Sequence, residues 1–200
     1  MATVKSRREE YSDATRAGLL DSALQLFAER GYARTSLDDI ASATRVTKGA
    51  LYHHFDGKQA LFEAVLDRLE IGMQERVTRA ASGAGDAWAA TQAGLDAFLT
   101  LCCEPAYARI VMQEGPVALG WERWRECEEK YAYGLVQTFL RALIDAGAIA
   151  AVPLESATRI TFGMLSAAAL ALAEAPDDEK PRVKDEVAGL LRGFLLGLRA

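Results

Sequence analysis

Leu37-Asp38-Asp39-Ile40-Ala41-Ser42-Ala43-Thr44-Arg45-Val46-Thr47-Lys48-Gly49-Ala50-Leu51-Tyr52-His53-His54-Phe55-Asp56-Gly57-Lys58 holds two short helical patterns separated by three residues that suit neither. Leu37, Ile40, Ala41 and Ala43 are the inward positions of the first. Ser36, with Asp39 three residues on, makes a capping box in which Asp stands for the usual Glu. Thr44-Arg45-Val46 interrupts the pattern. Thr47 then caps a second short helix, which Leu51 and Phe55 anchor as an i, i+4 apolar pair. Asp56, with Gln59 three later, caps the helix that follows. Helix, tight break, helix is the helix-turn-helix arrangement, whose second helix enters the major groove of DNA with its first residues at the base edges. Thr47, Lys48 and Gly49 stand where free N–H groups and the helix dipole favour a phosphate. Gly49 lets the backbone come close. Tyr52, His53 and His54 present polar tips, and Lys58 adds a positive charge at the start of the next helix.

Working outward, Leu20, Ala23, Leu24 and Phe27 give an apolar face to a helix over about 16–30, closed by Gly31. Downstream, Leu61, Phe62, Val65, Leu66 and Leu69 mark a long helix to about Ala81, ended by Ser82-Gly83-Ala84-Gly85. Five further helices fall near 86–103, 106–114, 121–146, 153–174 and 179–198. The chain is therefore expected to be all-α with about nine helices. A helix-turn-helix domain over 1–58 carries a basic N-terminal arm, 1–15, with Lys5, Arg7, Arg8 and Arg16 at or near it. A larger helical domain occupies 59–200.

Composition agrees. Half of the 200 residues are apolar and 26% are charged, enough for a real core and unlike a disordered chain. Formal charge is −5, from 23 basic and 28 acidic residues. No global positive field exists, so a nucleic-acid contact must be local. Residues 1–58 hold 9 basic and 8 acidic residues, +1 net, so this end is merely less acidic. The N-terminus has no secretory pattern, and the longest nearly apolar run, 160–173, falls short of the ~18–20 residues that span a bilayer. Three cysteines, Cys102, Cys103 and Cys127, show no disulfide spacing. A cytoplasmic protein with reduced thiols is expected, with no membrane partner.

The runs Leu26-Phe27-Ala28-Glu29-Arg30-Gly31-Tyr32, Thr35 to Ala41, Val46 to Phe55 and Lys58-Gln59-Ala60-Leu61-Phe62 resemble the N-terminal domain of the TetR family of transcriptional regulators. The resemblance covers about residues 16–66. It implies an all-α homodimer that binds a palindromic operator, usually as a repressor released by a small ligand. Ser36, Thr47, Lys48, Gly49, Tyr52, His53, His54 and Lys58 match positions where the family touches DNA, mostly phosphates, and Ala50 matches a variable position that faces bases. One departure stands out. The family has Ala-Gly where this chain has Thr44-Arg45. Either Arg45 bears a penalty for positive φ, or the turn is reshaped and Arg45 reaches a phosphate. The run 115–125 resembles a segment in one subset of these regulators, and no ligand follows from it.

In the larger domain, Phe98, Cys102, Tyr107, Trp121, Trp124, Cys127 and Tyr131 are candidates for lining a small-molecule pocket, against plain core packing. Few buried charges are expected, which favours an apolar ligand. The last two helices are the expected dimer seam through Gly163, Ala167, Leu170, Val187, Leu191, Phe194 and Leu198, where small residues permit close approach and one subunit cannot cover both apolar faces. A DNA-binding dimer without a ligand is the alternative. A thiol-dependent all-α enzyme is a more distant one, because no base, oxyanion element, phosphate loop or metal set accompanies the cysteines. The His53-His54 pair lacks metal-ligand spacing. No enzyme activity, metal or cofactor is expected.

Overall fold

The computed structural model describes residues 7–199. Nine helices are found among them: α1 (Arg7–Arg30), α2 (Leu37–Thr44), α3 (Lys48–His54), α4 (Lys58–Ser82), α5 (Ala87–Cys102), α6 (105–119), α7 (121–145), α8 (Leu154–Glu174) and α9 (Lys180–Gly197). No strand occurs among the described residues. The chain separates into two compact units, 1–67 and 68–200, and the division falls inside α4.

In the first unit, α1 and the start of α4 meet through a knot of rings. Phe27 and Phe62 are edge-on at 5.2 Å, and Tyr32 packs on Phe62 at 5.1 Å. Leu19, Ala23, Ile40, Leu51, Leu61 and Leu66 complete a buried core. Helix α1 ends at Gly31, where φ is +83°. The buried Thr35 hydroxyl lies 2.9 Å from Gly31 O and 3.2 Å from Leu26 O, so it serves carbonyls at the end of that helix. Helix α1 begins at Arg7, not near Arg16, so residues 7–15 are helical rather than part of an extended arm. No Pro or Gly interrupts 7–16, which explains the extension. Lys5 lies outside the described residues, and so do the side chains of Arg7 and Arg8. Ala43 is exposed, contrary to its expected inward position. Leu61 N–H bonds Gly57 O, so Gly57 rather than Asp56 flanks the start of α4.

In the second unit, α8 packs against α5, α6, α7 and α9, and α9 packs against α5. Val136, Leu140, Leu143, Ile149, Ala157 and Leu195 form one buried cluster. Two helices contain π-helical stretches, Ala108–Glu114 in α6 and Glu129–Tyr133 in α7. Side chains take up carbonyls there: Trp124 Nε1–H donates to Val111 O at 2.8 Å, and Gln74 donates to Tyr131 O at 2.6 Å. Helix α6 does not stop at Gly115-Pro116. Pro116 sits in the first turn of the α-segment after the π stretch, where its missing N–H is not required. Trp124 packs where a Cβ on Gly115 would fall 2.6 Å from its Cδ1, so Gly115 is what admits the indole. Helix α8 has 21 residues and a mean hydropathy of 1.3 across its apolar window, so by length and composition it could cross a membrane. That exceeds the 160–173 run. Ala157, Thr158, Thr161, Ala168, Ala169, Leu172 and Ala173 bury one side of it within the unit.

The turn between α2 and α3 is left-handed at Arg45, with φ +59° and ψ +37°. Arg45 N–H bonds Ser42 O at 3.1 Å, and Val46 N–H bonds Ala41 O at 3.0 Å. This closes α2 as a glycine would. Arg45 therefore carries the penalty of a side chain in the αL region. Replacing it by Gly is expected to stabilise the first unit by about 1 kcal/mol. Urea unfolding of Arg45→Gly beside the parent chain checks this, and an unchanged or lowered midpoint contradicts it.

Candidate nucleic-acid interface and cavity

Helix α3 has seven residues and is held at both ends. The Thr47 hydroxyl accepts Ala50 N–H at 3.1 Å, and Phe55 N–H bonds Leu51 O at 3.0 Å. Leu51 and Phe55 are buried. That pinning leaves Thr47, Lys48, Gly49, Tyr52 and His53 exposed along the opposite side, with Ala50 and His54 half-buried. A Cβ built on Gly49 meets nothing nearer than Thr47 Oγ1 at 3.9 Å. The chain itself therefore places no demand on glycine there.

Charges around α3 are engaged locally. The Lys48 ammonium pairs with the Asp38 carboxylate at 2.7 Å, both exposed, and this raises the Lys48 pKa. Lys58 is half-buried; its ammonium donates to Tyr32 O at 2.8 Å and lies 4.2 Å above the Tyr32 ring. Ser36 is exposed, with its hydroxyl and N–H on the Asp39 carboxylate at 2.6 and 2.9 Å. This capping box pulls the Asp39 pKa down. Arg45 is exposed beside α3. Arg16 on α1 stacks over Phe55 at 5.1 Å. Of the candidate DNA-binding residues, Ser36, Arg45, Thr47, Lys48, Gly49, Tyr52 and His53 are exposed, Ala50, His54 and Lys58 are half-buried, and the Lys58 ammonium is engaged by Tyr32.

The second unit holds a partly open cavity of about 90 Å³. Of the residues expected to line a pocket, Phe98 and Tyr107 do so. Cys102, Trp121, Trp124 and Cys127 do not, and Tyr131 borders a separate, more open pocket beside Gln74 and Lys130. Trp121 is 61% exposed, and Trp124, Cys127, Cys102 and Tyr131 are packed into the core. Burial, then Glu70, pushes the Cys102 thiol well up, and burial also raises Cys103, so neither is a poised thiolate. Two buried acids outside the expected lining, Glu70 of α4 and Glu128 of α7, also reach the cavity. Their presence corrects the expectation of few buried charges. A signal existed: Glu70 continues the stripe Phe62, Leu66, Met73, Val77, and Glu128 continues Trp124, Tyr131, Leu135, so each acid occupies an inward helical position.

On the expected seam, Ile160, Gly163, Ala167 and Leu170 are exposed along one side of α8. On α9, Leu191 is buried, while Val187, Phe194 and Leu198 are half-buried. Leu191 and Phe194 line the cavity instead. Leu190 and Leu196 are the exposed apolar residues of α9, at 72% and 46%.

Residues 19–65 match the family model described as bacterial regulatory proteins of the tetR family, and residues 88–198 match a tetracyclin repressor-like C-terminal domain. A solved TetR-family transcriptional regulator from Pectobacterium atrosepticum superimposes with a TM-score of 0.84 at 31% identity, covering 98% of each chain. The TetC protein of transposon Tn10 from Escherichia coli is 27% identical over 198 residues, 98% of each chain. The negative transcriptional regulator IcaR of the Staphylococcus aureus biofilm operon is 47% identical over 45 residues, 22% of this chain and 24% of that protein. The molecule is a helix-turn-helix transcriptional regulator. It belongs to the TetR family.

His54 supplies a pH test of the first unit. Partial burial, then His53 and Arg16, lowers its pKa below the ordinary 6.5. The neutral form is thus favoured by folding. The associated stability is complete above pH 6.5 and is lost as pH falls through the depressed folded value. Thermal melts between pH 8 and pH 5 should show this loss, and His54→Gln should flatten it. A variant as acid-sensitive as the parent would remove His54 as the cause.

Proposed function

We propose that the protein is a homodimeric repressor that binds a palindromic operator through paired α3 helices and is released by a small effector held in the second unit. One observation carries the DNA reading: α3 buries Leu51 and Phe55 and turns Thr47, Lys48, Gly49, Tyr52 and His53 outward together. Lys48 and the helix start would meet phosphate, Ala50 would face bases, and Ser36, Arg45, His54 and Lys58 would flank the contact. Lys48 must exchange Asp38 for a phosphate, and Lys58 must leave Tyr32 to do likewise. The negative regulator IcaR supports repression as the output, and action on DNA places the protein in the cytoplasm.

Dimerisation rests on the exposed stripe Ile160, Gly163, Ala167 and Leu170 with Leu190 and Leu196. A second copy covering this surface would set two α3 helices for successive major grooves, about 34–36 Å apart. An effector that favours a different spacing would release the operator, and operator binding would weaken the effector by the same factor. Helix α4 is shared by both units and is the proposed lever.

Anisotropy with DNA from upstream of the protein's own gene tests the contact. Lys48→Ala should weaken binding and reduce the salt slope by about 1. Gly49→Ala should keep or raise the melting temperature while weakening DNA binding about tenfold, because only the duplex crowds that position. Gly49→Ala with unaltered affinity would contradict close approach. Ala167→Arg should yield a folded monomer with weak operator binding. Light scattering that still reports a dimer would move the seam elsewhere.

A further inference from the structure

The cavity has an apolar body and one polar region. Phe98, Phe139 and Phe162 lie among its apolar lining, and Glu70, Tyr107, Glu128 and Thr161 supply its principal polar groups. Tyr107 donates its hydroxyl to Glu70 Oε1 at 2.8 Å. Glu128 and Thr161 are 6% and 8% exposed, and Glu128 Oε1 and Thr161 Oγ1 have no hydrogen-bond partner. Among the described residues, no Lys, Arg or His lines the cavity. A carboxyl buried without a partner costs several kcal/mol unless it is protonated or meets a cation. Both π stretches begin directly after polar lining residues, Ala108 after Tyr107 and Glu129 after Glu128. Such stretches accompany functional sites.

Resting on the effector reading above, we propose that this cavity takes a small amine in its protonated form, its ammonium on the Glu128 carboxylate and its apolar body among the phenylalanines. The inner space of about 90 Å³ is smaller than the ~150 Å³ that holds a benzene ring, but the cavity is partly open, so a ring-bearing amine would seat its ammonium inside and extend its body outward or displace side chains. Gly94 admits the Phe139 ring to the cavity wall, since a Cβ there would fall 2.9 Å from Phe139 Cζ.

Charge completes the case. Burial, then the neighbouring Glu70, pushes the Glu128 carboxyl well up, which favours its protonated form until a cation meets it. The ionisable groups facing it are Glu70 from α4, Tyr107 from α6 and Cys102 from α5. Helix α8 brings no ionisable side chain to the described lining, only the hydroxyls of Thr161 and Ser166. When the ammonium arrives, Glu128 ionises and its proton leaves to solvent. Binding therefore releases a proton and tightens as pH rises, until Glu128 ionises unaided.

Calorimetry of the full chain with benzylamine, benzyl alcohol and benzoate tests this, in two buffers of different ionisation enthalpy and across pH. Benzylamine should bind at least about tenfold tighter than benzyl alcohol, benzoate should bind weakest, and about one proton should be released at neutral pH. Glu128→Gln should abolish both the preference and the proton release. Thr161→Val should weaken the amine while keeping the release, and circular dichroism establishes that both variants fold. Benzyl alcohol binding as well as benzylamine, amine binding without proton release, or an indifferent Glu128→Gln overturns the amine proposal and leaves the effector reading standing. Binding of none of the three, with ordered water alone in the cavity, overturns the proposal and counts against the effector reading too.

Discussion

A helix of seven residues has too few internal hydrogen bonds to persist by itself, because nucleation costs more than so short a ladder returns. Everything asked of α3 therefore depends on the burial of Leu51 and Phe55. These two side chains do more than hold the helix. With residues spaced about 100° apart, fixing two positions on one side decides which residues face water. Thr47, Lys48, Gly49, Tyr52 and His53 are outward because Leu51 and Phe55 are inward. The Arg45 turn aims α3 from the other end. The chain tolerates a left-handed arginine there because Val46 N–H still closes on Ala41 O.

The second unit solves a different problem. Its helices are long enough to hold themselves, and the cost lies in what they bury. Glu70 and Glu128 occupy positions that a stability-driven core would give to leucine. Glu70 has the Tyr107 hydroxyl, while Glu128 Oε1 has nothing. A structural carboxyl would be met by a donor from a neighbouring helix, as Trp124 Nε1 meets Val111 O. Its absence at Glu128, beside a cavity with phenylalanine walls, is the observation on which the amine proposal rests.

The first unit was legible from the sequence because its signals are local. Ser36 with Asp39, Thr47, the Leu51–Phe55 pair and Gly31 each act within four residues, and short motifs carry them whole. Positive φ at Arg45 was legible only as a departure from a family pattern. The cavity was less legible, since a lining depends on which helices meet. Trp121 and Trp124 share a helix and a residue type, yet one is exposed and the other fills the space that Gly115 leaves. Glu128 lies in the run Glu126-Cys127-Glu128-Glu129, where composition marks every acid as solvated and only helical phase separates one from the rest. The same limit hid the inward turn of Leu191 and Phe194, which extended the α9 stripe without revealing which part of it the unit would cover.

Glu70 lies one helical turn beyond Leu66 on α4, a rise of about 6 Å along a continuous backbone ladder. Leu66 is buried in the core of the first unit, and Glu70 reaches the cavity of the second. In the proposed switch, an ammonium on Glu128 would act through α4, the helix that both units share. The free energy available for release is bounded by the effector's preference for one conformation over the other. Part of its binding energy goes to ionising Glu128. An effector of this chemistry would therefore bind less tightly than its contacts alone imply, and its grip would strengthen wherever pH has already weakened the hold of that carboxyl on its proton.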